Sequence, residues 1–301
     1  MIETDPPPSR PAYAVGAMLV ATAFFAATTL LAKALGTDLL GDPLHPFQVS
    51  HGRFVFAALG LALAAAFLRP QITRPNLRLH LTRCLFGWAG VSLLFAAAAR
   101  IPLSDATALS FLNPVFAMFL AIPILGERVG PWRWFAAAIA LIGTVVLLRP
   151  GAGSLQLSAL LAVGAAVMIG IEVICIKRLA NLEKPMQILL INNAIGVCIA
   201  TTAVIAVWQA PSPQQWVALC ALGLLMACAQ TCFIQAMRSA DATLTLPITY
   251  ATLVFATLYD AWLFGVIPDV VSVIGATIIV GGAALLGWRE ILAARGQGFK
   301  R

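Results

Sequence analysis

The chain has 301 residues, 61% of them hydrophobic and 10% charged, and carries a formal net charge of +7 with a mean hydropathy of +0.93. That much apolar surface cannot be buried inside one soluble domain, so a bilayer must be part of the solvent. The same balance leaves no room for a soluble catalytic domain, and the positive charge reads as topology and lipid-headgroup attraction rather than nucleic-acid binding.

A crossing needs roughly 20 apolar residues. On that length the sequence predicts ten spans, near 14–35, 48–68, 81–99, 104–125, 132–148, 156–176, 186–208, 215–236, 242–265 and 269–288. Residues 1–13, with Glu3, Asp5, a Pro6-Pro7-Pro8 run and only Arg10 as a cation, read as a cytoplasmic segment and not as a cleaved signal peptide. Gly36 to Phe47, holding Asp38, Asp42, Pro43, His45 and Pro46, is the largest outer connection. Pro211 and Pro213 break the chain between the seventh and eighth spans, and 289–301 is a basic tail.

Ser104-Asp105-Ala106-Thr107 opens the fourth span, and Ala240-Asp241-Ala242-Thr243 opens the ninth. The chain therefore divides into two repeats, 14–148 and 156–288, with five spans each. An odd number of crossings forces the two repeats into opposite orientations, a build found in many secondary transporters. The expected fold class is an all-α polytopic membrane protein of ten transmembrane helices in two inverted five-helix repeats.

Short loops rich in Lys and Arg stay in the cytoplasm. With the N-terminus inside, Arg10, Arg69, Arg74, Arg78, Arg83, Arg128, Arg133, Lys177, Arg178, Lys184, Arg238 and the cations of the tail all fall on that side. Arg100 and Arg149 fall in outer loops, while Lys33 and Arg53 sit near the outer ends of the first two spans. Both termini are thus expected in the cytoplasm. The six cysteines lie in or at the ends of spans, and read as small packing residues rather than metal ligands or disulfides. Neither a metal nor a cofactor is expected.

Polar residues inside spans each cost a few kcal/mol unless they face a cavity or a partner, so function is sought there. Asp260 lies in the ninth span and, at 100° per residue, falls within about 20° of Thr249, with Thr245 and Thr252 to either side. Pro247 sits in the same stripe, and a proline frees the carbonyl one turn back. In the fourth span Thr107, Ser110 and Pro114 share a face, with Asn113 adjacent. The same residues would also serve simply to kink and pack membrane helices. Glu172, one turn before Lys177 and Arg178, is open to three roles: carrying a proton, binding a cationic group, or pairing with a basic neighbour. Arg53, with His51 beside it, reads either as a cation that clamps helices or as a binder of a substrate carboxylate. Trp88 and Ser92, Asn192 and Asn193, and Gln230, Thr231 and Gln235 complete the polar set. A ring of Trp88, Phe25 and Tyr250 would suit a planar substrate.

The run from Ser104 through Ser110, Asn113 and Pro114 to Leu125-Gly126-Glu127-Arg128-Val129 resembles the fourth span and exit of the EamA-type drug/metabolite transporters. Ala240-Asp241-Ala242-Thr243 through Pro247, Thr249 and Tyr250 to Phe264-Gly265 resembles the same family's ninth span. The resemblance covers essentially the whole chain. It departs at Gly265, where Val266 follows in place of the family's glutamate, and at Asp260, where a small residue is usual.

This resemblance implies a carrier that moves a small organic metabolite across the inner membrane by alternating access. The metabolite would be an amino acid or an S-adenosylmethionine-like or flavin-like compound. Trp88, Ser110, Asn113, Gln230, Thr245, Thr249, Tyr250 and Asp260 are the expected substrate-binding residues. Arg53 and Glu172 serve for coupling or as structural ion pairs. Partners would be the bilayer, the metabolite and protons as a coupling ion, in a monomer or homodimer. The intramembrane acids lean toward a cationic cargo. A flippase of lipid or lipid-linked sugar shares the architecture. A membrane enzyme fits less well, because His45, His51 and His80 are scattered and no nucleophile and base stand together.

Overall fold

Proline costs a helix no hydrogen bond at its first position, where the N–H would be unpaired anyway. Among the described residues five helices open on one. The structure is a computed structural model describing residues 11–120 apart from 71, 114 and 118, residues 131–148, residues 157–239 apart from 181, residues 248–282 apart from 250, and residue 285. Its helices are α1 (Pro11–Leu35), α2 (Pro46–Leu68), α3 (Leu77–Ala98), α4 (Leu103–Ser110), α5 (Pro131–Leu148), α6 (Leu157–Ala180), α7 (Pro185–Val204), α8 (Pro213–Ser239) and α9 (Ala251–Phe264), followed by α10 (Val270–Gly282).

Local chemistry sets the ends. His45 Nδ1 accepts from the Phe47 N–H at the start of α2 (3.2 Å), and Asp269 Oδ1 accepts from the Ser272 N–H at the start of α10 (2.9 Å). Gly265, at φ +64°, closes α9 in a left-handed conformation that suits glycine.

Within the described residues, six helices are long and apolar enough to cross a membrane: α1, α2, α3, α6, α7 and α8. The helices α9 and α10 are shorter and also apolar. Large side chains such as Leu63, Phe67, Trp262 and Ile267 stand exposed, as they must where lipid is the solvent. The chain is therefore a multi-pass, all-helical membrane protein.

The fourth predicted span is not one straight rod. After Ser110 the chain turns through Phe111 and Leu112 before helix resumes at Asn113. The cause lies in the sequence, because a proline at position 114 has no N–H for the Ser110 carbonyl. The Asn113 side chain fills that vacancy, donating from Nδ2 to the Ser110 oxygen at 2.8 Å.

Packing joins the two halves of the chain more than it holds each half together. The main neighbours are α1 with α8 and α9, α3 with α6 and α7, and α2 with α7 and α8, while α4 meets both α6 and α9. Exchanging each helix for the one five places on maps this pattern onto itself. The α1–α8 pair becomes α6–α3, α2–α8 becomes α7–α3, α1–α9 becomes α6–α4, and α2–α7 and α4–α9 return to themselves. Helices α5 and α10 meet each other at Gly143, where an added Cβ would lie 2.8 Å from the Ile279 nitrogen.

Lipid supplies no hydrophobic drive between helices, so close approach through small residues supplies dispersion contacts instead. Gly52 lies against Leu219, and Gly223 receives Phe56 and the Ala57 backbone, so α2 and α8 interlock through reciprocal notches. At Gly196 a Cβ would fall 2.3 Å from the Phe54 ring, whereas at Gly164 the nearest atom is Leu93 Cδ1 at 3.5 Å. Gly196→Ala is expected to lower stability by about 1–3 kcal/mol, read as a drop in melting temperature in detergent, with Gly164→Ala close to neutral.

Candidate functional site

The site is best described from its two ends inward. At one end α1 stops, α4 starts and α9 stops, and a single carboxylate joins all three. Asp260, 1% exposed, forms an ion pair through Oδ1 with Lys33, itself 7% exposed. Its Oδ2 accepts from the Leu103 N–H at 2.8 Å, satisfying one of the unpaired donors at the start of α4. Phe264, one turn after Asp260, places its ring 4.3 Å from the Lys33 ammonium, so the cation is enclosed by carboxylate and π-face together. Gly36 lets α1 close on Ala99 beside this tie.

At the opposite end Glu183 plays the corresponding part between α3 and α7. Its Oε1 accepts from the Asn76 N–H (2.8 Å), and its Oε2 meets His80 Nε2 (2.9 Å) and the Gln187 amide (2.7 Å). Gln187 in turn accepts from the Thr73 N–H at 2.7 Å. Burial pushes the Glu183 carboxyl up, but the hydrogen bonds from Asn76, His80 and Gln187 outweigh it and hold the group below its ordinary 4.5.

Between the two ends lies a charged layer. The Glu172 carboxylate packs on Gly87, where a side chain would collide with it at 2.7 Å. Its Oε1 lies 3.6 Å from Arg83 Nε, which is ion-pair distance without a hydrogen bond. Arg53, 5% exposed, feels both Glu172 and Arg83. Its guanidinium lies 4.5 Å from the Phe54 ring, and Nε and Nη1 have no hydrogen-bond partner. Trp88 follows Gly87 on α3, stacks against Phe47 at 5.2 Å, and leaves its buried Nε1–H unpaired.

The other expected site residues fall as follows. Ser110 donates to the Thr107 carbonyl (2.7 Å), so Ser110 and Asn113 both bond their own helix at the break. Gln230 has a buried, unpartnered Oε1, while Thr249 is half-buried and its carbonyl accepts from Thr252 Oγ1 at 2.7 Å. Thr245 and Tyr250, with Pro247, lie outside the described residues. Trp88 and Phe25 do not meet; Phe25 packs instead on Phe233 at 6.2 Å.

Arg83 was expected on the cytoplasmic side near the start of the third span; α3 begins at Leu77, which puts Arg83 six residues inside the helix at 4% exposure. His80 is likewise fully buried inside α3. The partnership of Lys33 and Asp260 was also missed, although the sequence held a signal for it. Each stands within about a turn and a half of the end of its own span, and the predicted alternation puts both ends on the same side.

The repeat, the break in the fourth span and the mapped contact pattern all point to one architecture, and the family comparison decides it. A model of the EamA-like transporter family matches residues 12–149 and again 156–288. The chain belongs to that family. The resemblance read from the Ser104–Val129 and Ala240–Gly265 runs is thus borne out.

Relatives of this EamA-like chain include a riboflavin transporter of Rhizobium johnstonii, 31% identical over 220 residues and covering 72% of each chain. An S-adenosylmethionine uptake transporter of Rickettsia prowazekii is 26% identical over 254 residues, covering 83% of this chain and 86% of the relative. A solved crystal structure matches with a TM-score of 0.61 at 23% identity, covering 90% of this chain and 98% of that one, which establishes likeness of fold.

Breaking a buried ion pair from one side leaves an uncompensated charge and costs about 3–5 kcal/mol. Lys33→Met is expected to destabilise this EamA-like protein by that order, and the double variant Lys33→Met/Asp260→Asn to regain most of the loss, since asparagine still accepts from Leu103. Thermal unfolding of the three proteins in detergent checks the coupling.

A carboxyl whose folded pKa is depressed stabilises fully above its unfolded value, and the gain is lost as pH falls through the folded value. Wild-type melting temperature should therefore fall below pH 4.5 more steeply than that of Glu183→Gln, in a series of scans across the acid range.

Proposed function

We propose that the protein is a secondary carrier of ten spans in two inverted repeats, 14–148 and 156–288, with both termini in the cytoplasm. It moves a small organic metabolite across the inner membrane by alternating access. The observation that carries this reading is the placement of the charged layer between two separate ties. The Lys33–Asp260–Leu103 tie joins α1, α4 and α9 at the end assigned to the outside, and the His80–Glu183–Gln187 tie joins α3 and α7 at the cytoplasmic end.

The two ties share no helix, so one end can part while the other holds. An inverted repeat provides two such arrangements of nearly equal energy, because each half can adopt the conformation of the other. Trp88 and Gln230 have buried polar atoms without a hydrogen-bond partner, and we assign them to the substrate cavity with Thr249. Asp260 acts there through Lys33, as the pair that separates when the outer end opens. Glu172 is the carboxylate of the layer through which a proton would couple. The S-adenosylmethionine and riboflavin relatives set the range of cargo: a metabolite with a planar ring system and polar substituents.

The test is counterflow in proteoliposomes preloaded with unlabelled S-adenosylmethionine or riboflavin. Labelled compound is expected to accumulate for at least one of the two, and the Lys33→Met/Asp260→Asn double variant to alter the rate while remaining folded. Binding of either compound with no flux would identify a receptor in place of a carrier.

A further inference from the structure

The charges of the middle layer do not balance. Lys33 and Asp260 cancel each other at one end, and His80 with Glu183 closes the other. Among the described residues of the layer, Arg53 and Arg83 then face Glu172 alone. The lean toward cationic cargo rested on Asp260 and Glu172 as available acids. Each has a basic partner in the structure, and the unmatched charge is positive.

Arg53 is the unmatched group. A guanidinium that is 5% exposed and has two N–H-bearing nitrogens without acceptors is costly to bury. The Phe54 ring offsets part of that cost, and Glu172 is already engaged by Arg83, so Arg53 receives only its longer-range attraction. Contacts along the helices bring the elements that carry these groups together. Phe47 of α2 stacks on Trp88 of α3, Glu172 of α6 rests on Gly87, and Phe54, the residue after Arg53, fills the notch at Gly196 of α7. Trp88 adds a second buried donor with nothing to donate to. Arg53 and Trp88 thus leave donors without acceptors, and beside a buried guanidinium the acceptor that fits is anionic.

We propose that Arg53 is the binding residue for a carboxylate carried by the substrate, with Trp88 and Phe47 bordering its planar or apolar part. A carboxylate matches the guanidinium fork in geometry and charge, and the pair is strongest where water is excluded. The proposal rests on the carrier reading and narrows its cargo to molecules bearing a carboxylate.

Matched pairs test it: S-adenosylmethionine with its decarboxylated form, and phenylalanine with phenethylamine, each scored by the rise in melting temperature of the purified protein, which ligand binding to the folded state must produce. Carboxylate-bearing members alone are expected to raise it. Arg53→Met is expected to weaken that binding about tenfold to a hundredfold, and Arg53→Lys to retain part of it. The unliganded Arg53→Met protein is expected to melt no lower than wild type, because an unpaired buried charge has been replaced by an apolar chain of similar length.

Equal binding of the decarboxylated partners, undiminished carboxylate binding by Arg53→Met, or no shift with either carboxylate would each overturn the proposal. A large loss of stability in unliganded Arg53→Met would assign Arg53 to holding helices together and would also overturn it. Riboflavin counterflow is scored separately, since its persistence in any of those cases leaves the carrier reading standing while the carboxylate site falls.

Discussion

One carboxylate, that of Asp260, fixes the relation of three helices that the chain makes far apart in sequence. An acid alone in an apolar interior would be driven to its neutral form or out to water. Here Lys33 supplies the charge, the Leu103 N–H supplies a hydrogen bond, and Phe264 covers the ammonium. The ends of α1 and α9 and the start of α4 are therefore set against one another as a unit. Gly36 at the end of α1 admits Ala99 at close range, and Gly265 after α9 lets the chain turn away from that junction.

The rest of the bundle follows from close approach at glycine. Helices α2 and α8 interlock at Gly52 and Gly223, α2 meets α7 at Gly196, and α3 meets α6 at Gly87 and Gly90. These are contacts between the two halves, so among the described residues the closest helix packing runs from one half to the other. The sequence repeat is an architectural unit without being an independent domain, and the half-exchange of the contact pattern is its visible trace.

Much of this was legible in the sequence because hydropathy over about 20 residues is a strong signal. The starts of α2, α7 and α8 fall within one or two residues of the expected spans, whereas the break after Ser110 interrupts a span expected to run through 104–125, although Pro114 stands where it accounts for that break. Pairing was harder to read. Asp260 could be placed on a polar face, but a face does not say which helix lies opposite, and Lys33 is 227 residues away in the chain. The burial of Arg83 was hard to read for a different reason. The positive-inside rule counts cations near span ends, and one that is six residues inside a helix looks the same in composition as one in the loop. His80 and Glu183 were passed over because no local motif joins residues that the fold brings together from the starts of two separate helices.

The Lys33–Asp260 tie has an electrical property as well as a mechanical one. A salt bridge carries no net charge, so moving it as an intact pair transfers no charge along the membrane normal. The field acts on net displaced charge, at about 2.3 kcal/mol per elementary charge per 100 mV. Membrane voltage therefore has almost no lever on the closed junction, whose hold depends on packing and on the attraction within the pair itself.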